Sequence, residues 1–358
     1  MTASQTPKSL RRGELVRVRS RAAVLATLDE QGRIDGLPFM PEMLDACGRV
    51  FRVAARAHKT CDTIHKTGGR RMQDAVHLEG LRCDGSAHGG CQAGCLFFFK
   101  HAWLERVEDG APADDAGGAD AQAAPAPDAG PARADTCSEA TLRAAACAGS
   151  MRNAKGEEEL HYACQITELF RATSPLPWWD VRQYVEDVTS GNVGAFDLLN
   201  RLFFRFTANV IQRLPGYRLW LGLYDRIQAK LGRPPFPVIQ GQLKKTPSET
   251  LGLQPGERVK VKPLAEIVKT LDVRNKNRGM AFDKEQAPYC EQEHVVQARV
   301  TRILDEPTGR MVELPNECIV LKDVYCRSCY SERRIGCPRA IYSYWRECWL
   351  ERVEPERR

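Results

Sequence analysis

Gly13-Glu14-Leu15-Val16-Arg17-Val18 returns late in the chain as Gly256-Glu257-Arg258-Val259-Lys260-Val261. Both stretches place valines at every second position between polar residues, the period of a strand with one buried face. The same register holds on moving outward. Thr27-Leu28-Asp29 falls on Thr270-Leu271-Asp272, Phe39 on Phe282, Cys47 on Cys290, Val53 on Val296 and Cys83 on Cys326. A net insertion of three residues then sets Cys91 on Cys337 and Trp103 on Trp349, and both copies close on Trp-Leu-Glu-Arg-Val. Residues 13–107 and 256–353 therefore read as one duplicated domain, since two copies are too few for a solenoid.

Each copy predicts several short strands. In the first these are Glu14–Arg19, an extended Leu37–Met40, Arg49–Ala55 and Ala75–Leu78. Ser20 is placed to cap a short helix through Leu28. Met40 to Cys47 reads as one or two helical turns stopped by Gly48, and Thr67-Gly68-Gly69-Arg70 as a turn. Short strands with glycine turns and little helix suit a small, strongly bent sheet or barrel. The Gly-Glu-x-Val-x-Val opening, followed by a Cys-Gly or Cys-Glu turn into another strand, resembles SH3-like barrels, including those of nitrile-hydratase beta subunits and ribosome-associated modules. The resemblance implies a fold and carries no catalytic residue across.

The expected architecture is α+β, with two homologous SH3-like, cysteine-rich modules flanking a helical region. Residues 1–12 form an N-terminal tail, 13–107 module A, 256–353 module B and 354–358 a C-terminal tail. Residues 108–136 are rich in Ala, Pro, Gly and Asp and hold no aromatic residue. They cannot bury enough surface to offset ~1–2 kcal/mol of backbone entropy per residue, so they read as a disordered linker. From 137 to 255 lie the helical region and its connector. Helices are expected over Glu157–Ala172, from Trp178-Trp179 after a Pro-Leu-Pro break, over Val193–Leu214 and over Tyr217–Leu231. Asp197, Arg201, Arg205 and Arg213 interrupt the third, which excludes a spanning helix of about 20 apolar residues. A peripheral membrane contact through residues 193–214 stays open beside a plain core role.

An apolar fraction of 43% is that of a globular chain. A net charge of +6 in 358 residues is too modest to make nucleic acid the default partner. The N-terminus has basic residues but no apolar run, so it does not read as a secretory signal, and a cytoplasmic location is expected. Fourteen cysteines in a reducing compartment point to metal or thiol chemistry more than to disulfides.

The densest group is Leu81-Arg82-Cys83-Asp84-Gly85-Ser86-Ala87-His88-Gly89-Gly90-Cys91-Gln92-Ala93-Gly94-Cys95. Zinc takes four thiolate or imidazole ligands in a tetrahedron. Cys83, Cys91 and Cys95 supply three, with Cys61 or His88 completing the set. If Cys91 opens a helix, Cys91 and Cys95 share one of its faces. In module B, Cys326, Cys329 and Cys337 form the counterpart, with Cys318 or Cys348 as the fourth ligand and Pro338 in a first helical turn. The same sets suit an iron–sulfur cluster, and unligated or redox thiols remain a third reading. Cys47 and Cys290 read as core residues, as does Cys164, although Cys164 can reach a site. Trp103 and Trp349 read as core anchors.

These features describe a zinc-binding scaffold or accessory protein whose partner is another protein. One alternative is a metal- or thiol-dependent enzyme with its site between the modules. The other is a nucleic-acid-binding module. No G-x-S-x-G, H-E-x-x-H, G-x-G-x-x-G or P-loop motif is present.

Overall fold

Val16 and Val18 are wholly buried, and the alternation that predicts a strand forms one, Leu15–Val18. In the computed structural model, which describes residues 9–107, 137–152, 156–209, 214–330 and 334–353, this strand is the fourth of a five-stranded antiparallel sheet. The order is Phe99–Lys100, Ala75–Leu78, Val50–Arg56, Leu15–Val18, Leu104–Arg106. Leu15 faces Arg52, and Val18 faces Leu104. The expected linker 108–136, the C-terminal tail and most of the N-terminal tail lie outside the described residues.

A second sheet has the same strand order: Tyr342–Trp345, Ile319–Tyr325, Glu293–Arg299, Arg258–Val261, Leu350–Arg352. Its registers follow the sequence correspondence. Arg258 faces Val295 as Leu15 faces Arg52, and both long strands shift register at equivalent points, Val53/Ala55 and Val296/Ala298. Packing repeats as well. The Trp103 indole donates to the Thr27 hydroxyl at 3.1 Å and the Trp349 indole to Thr270 at 2.9 Å. Phe39 and Phe282 meet these tryptophans edge-on, with centroids 5.0 and 5.3 Å apart. Each indole thus has both an apolar seat and a partner for its N–H, as a fully buried tryptophan needs.

The chain is a mixture of helix and strand divided into two compact units. The first comprises Met1–Ala195, Arg302–Val312 and Gly336–Arg339; the second comprises Phe196–Thr301, Glu313–Ile335 and Ala340–Arg358. Ser20 caps a helix over Arg21–Leu25 by accepting from the Ala23 N–H, and Pro41–Ala46 is a short 3-10 helix.

Several local expectations fail for identifiable reasons. The helix expected over Glu157–Ala172 is instead a strand, Glu158–Tyr162, paired with Cys147–Arg152. Its apolar residues at near-helical intervals serve a strand followed by turns equally well. Ile166 and Leu169 are still buried, but from turns. Gly69–Met72, read partly as a turn, is a strand joined on one side by Lys59–Cys61 and on the other by Thr173–Leu176. No helix follows Cys91 or Cys337. Gly89, Gly90 and Gly94 all sit in the left-handed region, and residues 91–98 run as irregular, extended chain. The later helices are Arg182–Thr189, Ala195–Asn209, Tyr217–Lys230 and the short Leu264–Val268. No helix among the described residues is long and apolar enough to cross a membrane.

Candidate metal centre

The loop from Cys83 to Cys95 is a closed structure. Arg82 and Leu96 pair as an isolated bridge at its neck, and the Cys83 N–H donates to the Cys95 carbonyl at 2.8 Å. The Asp84 carboxylate accepts from the Ser86 N–H, an Asx turn that begins the fold-back. The Gly85 carbonyl then accepts from both His88 and Gly90. Gly85 has φ +77°, and a Cβ there would lie 2.2 Å from the Cys91 carbonyl oxygen and 2.4 Å from its nitrogen. Only glycine lets the two ends of the loop come this close. Gly85→Ala should therefore open the loop. The expected result is loss of any stoichiometric metal and faster thiol labelling of Cys83 and Cys91; labelling kinetics like those of the parent would show that the loop tolerates the side chain.

The closure aims His88 inward. Its side chain is 2% exposed, and Nε2 lies 3.5 Å from the Cys83 sulfur. On the other edge of the ring, Nδ1 lies 3.2 Å from Oε1 of Glu42, a side chain 5% exposed. Glu42 stands on the first turn of Pro41–Ala46, and the same oxygen accepts from the Ala87 N–H at 3.0 Å. The Glu42–His88 contact is a charge contact without an aligned hydrogen bond, and Oε2 of Glu42 has no hydrogen-bond partner among the described residues. Glu42, Cys83 and His88 bring one ligand atom each within 4.8 Å of one another.

Cys91 completes the surroundings of the ring. Its sulfur accepts the Leu304 N–H at 3.3 Å, from the stretch Arg302–Val312 that belongs to this unit. Gln92 holds the same stretch, donating from its N–H to the Arg302 carbonyl at 3.1 Å. Burial pushes the Cys91 thiol up, but hydrogen bonds from His88 and from the Ala93 and Leu304 N–H groups outweigh it, so its pKa falls below the usual thiol value. Burial would lower the His88 pKa, yet its contacts with Cys83, Cys91 and Glu42 raise it well above the usual imidazole range. Burial raises Cys83, with His88 offsetting part of the shift. The group favours a thiolate on Cys91 beside a charged imidazole.

A small cleft of about 40 Å³ opens beside these groups, lined by Cys83, His88, Cys91, Cys95, Cys164 and Glu306, with apolar walls that include Phe97 and Ile166. Burial pushes the Cys95 thiol up to about 12 and raises that of Cys164 as well. Sequence reading placed Cys164 in the core, and it is buried, but it also lines the cleft. Glu42 was not a sequence candidate at all. No spacing joins it to the loop, because a residue 41 positions upstream meets His88 only through the fold.

The other predicted ligands lie elsewhere. Cys61 is 3.9 Å from Nη1 of Arg339, a buried guanidinium that also donates to Thr63 and to Glu306 at 3.0 and 2.9 Å. Cys337 belongs to the same unit and acts electrostatically on that guanidinium. Cys318 and Cys348 are buried in the second unit, where Cys326 contacts the Ser328 hydroxyl at 3.8 Å and Cys329 donates to the Arg327 carbonyl. Cys326 and Cys329 thus fall in the second unit and Cys337 in the first. Cys47 and Cys290, read as core residues, are partly buried and pack against their respective cores.

No protein-family model matches the chain, and no curated protein is significantly similar to it.

Proposed function

We propose that this is a zinc-binding protein, a scaffold built from two SH3-like copies in which the first copy is stapled by a metal at the Cys83–Cys95 loop. The observation that carries the reading is the setting of His88, with a carboxylate against Nδ1 and a sulfur 3.5 Å from Nε2. Zinc bonds of ~2.3 Å to sulfur and ~2.0 Å to nitrogen give a tetrahedral edge of about 3.5 Å. A metal-bound histidine usually offers its other nitrogen to a carboxylate or carbonyl, which fixes the ring and makes it a better ligand. Cys83 and His88, whose ligand atoms lie within 4.8 Å of each other and of Glu42, would hold the ion. Cys91, beside the ring but outside that group, would close onto it as a third ligand, Cys164 or Cys95 would supply the fourth, and Glu42 would orient the ring. An imidazole among the ligands suits zinc better than a four-thiolate iron–sulfur cluster. Bound zinc would tie the loop to the chain segments carrying Leu304 and Cys164. The shared strand order and register of the two sheets support the duplication.

A second reading has its own observation. Thiol, imidazole and carboxylate follow one another from Cys91 through His88 to Glu42, beside an open cleft. That is the order of a nucleophilic cysteine site, with His88 as base and Glu42 orienting it. Metal analysis of anaerobically purified protein separates the two. The expected result is one zinc per chain, no visible absorption band, and a 10–100-fold weaker zinc affinity for Glu42→Gln. Metal-free protein whose Cys91 alkylates rapidly at neutral pH, and slowly once Glu42 is Gln, would replace the zinc reading by the thiol one.

A further inference from the structure

Ala195–Asn209 and Tyr217–Lys230, both in the second unit, pack antiparallel. Asn200 accepts from Gln228 at 2.8 Å, Phe203 stacks on Tyr224 with centroids 5.1 Å apart, and Thr207 accepts from the Trp220 indole at 3.1 Å. The inner side of the pair closes on Phe204, Ala208, Tyr224 and Phe236. At about 100° per residue, Leu199 and Phe206 lie roughly opposite Phe204 and Ala208 on the first helix, while Phe196 falls on the side of Phe203; on the second, Leu219, Leu223 and Ile227 form an i, i+4 row with Arg226 and Lys230 beside it. Phe196, Leu199, Phe206, Leu219, Leu223 and Ile227 are all exposed, Leu199 at 63% and Leu219 at 84%. Both helices thus expose large apolar side chains, those of the second interleaved with Arg226 and Lys230, more than a water-facing helix pair would carry.

Charge indicates what covers them. The two helices hold five Lys and Arg against two Asp. Both carboxylates are engaged: Asp197 pairs with Arg233 at 2.5 Å, and Asp225 accepts the Phe236 N–H at 2.7 Å. Arg218, Arg226 and Lys230 are exposed on the second helix. A second copy of this surface would bring like charges together, which disfavours self-association. Fifteen and fourteen residues are too short to span a bilayer. Exposed Phe and Leu flanked by Arg and Lys suit a helix lying in the plane of an anionic membrane, side chains in the acyl boundary and cations among the headgroups.

We infer that the helix pair Ala195–Asn209 and Tyr217–Lys230 docks the protein on anionic lipid surfaces through Leu199, Phe206, Leu219, Leu223 and Ile227. The test is flotation of the full-length chain with phosphatidylcholine vesicles and with vesicles containing 30% phosphatidylglycerol, a composition chosen at roughly the charge density of an anionic leaflet. Flotation is expected with the anionic vesicles only, weakening at high salt. The pair Leu219→Glu and Leu223→Glu should bind at least about tenfold more weakly, and Arg226→Glu with Lys230→Glu should remove the preference for anionic lipid. Both positions in the first pair are exposed, so an unchanged helical circular dichroism signal would confirm that folding is intact. In Leu219→Trp the indole emission should shift to the blue on anionic vesicles. A parent chain that stays with the soluble fraction, or a Leu219→Glu, Leu223→Glu chain that floats equally well, overturns the inference. So does a concentration-dependent dimer of the parent that these substitutions abolish, because the face would then be a self-association surface.

Discussion

Cys91→Ser should lose its zinc and melt about 10 °C below the parent. The size follows from linkage. A ligand held at 1,000 times its Kd stabilises the folded state by about 4 kcal/mol, and a unit of roughly 200 residues loses about 2–4 °C per kcal/mol. Zinc bound as tightly as in small zinc domains, at ~10–16 kcal/mol apparent, would exceed this, but the first unit has a large apolar core of its own and should not unfold outright. The cause is specific to metal. Cys91 also packs against the core and accepts the Leu304 N–H, so a serine there changes little packing volume. In protein stripped with a chelator the gap between parent and Cys91→Ser should shrink to about 2–4 °C, the share of the contacts that Cys91 makes with His88 and with the Ala93 and Leu304 N–H groups. Exposed Cys147 gives the control, and Cys147→Ser should keep both metal and melting point. A parent chain that carries no zinc as isolated, and whose melting point without chelator treatment Cys91→Ser leaves unchanged, would make the loop cysteines free thiols.

Strand, turn and core positions were legible wherever one local pattern decided them. The Val16/Val18 alternation, the Ser20 cap and the buried Trp103 and Trp349 needed only period, cap chemistry and size. The common strand order of the two sheets was legible because the paired tryptophans, threonines and phenylalanines kept their spacing. That Cys83 and His88 meet was also readable, since a glycine-rich loop is local. The rest depended on contacts that spacing does not encode. Glu42 reaches His88 from a preceding 3-10 turn, and Leu304 reaches Cys91 from a segment more than 200 residues on. Cys61 had the right chemistry and lies on a buried strand, yet its neighbour is Arg339. The Glu157–Ala172 helix failed because a few apolar residues at near-helical intervals do not distinguish a helix from a strand followed by turns.

Asp187→Ala should destabilise the first unit by about 3–5 kcal/mol, lowering its melting point by about 10 °C. Asp187 sits on the helix Arg182–Thr189 with no exposed surface, and its carboxylate meets two buried groups, His58 and, on the strand Lys59–Cys61, Lys59. Lys59 Nζ lies 2.5 Å from one oxygen and His58 Nε2 3.2 Å from the other. Gly336 closes the space above them: a Cβ there would fall 2.9 Å from the carboxylate and 3.2 Å from the ammonium. Water has little room to replace the lost partner, so the alanine takes the carboxylate counterion from a buried ammonium. Most of the expected cost is therefore the stranded charge and only a minor part the lost contact. That distinction can be measured. Asp187→Leu combined with Lys59→Met removes both charges and keeps apolar volume, and should recover most of the stability lost by Asp187→Ala. A double variant as unstable as the sum of its singles would mean that the pair is needed for its geometry, holding the Arg182–Thr189 helix against the strand, and that charge desolvation is the smaller effect.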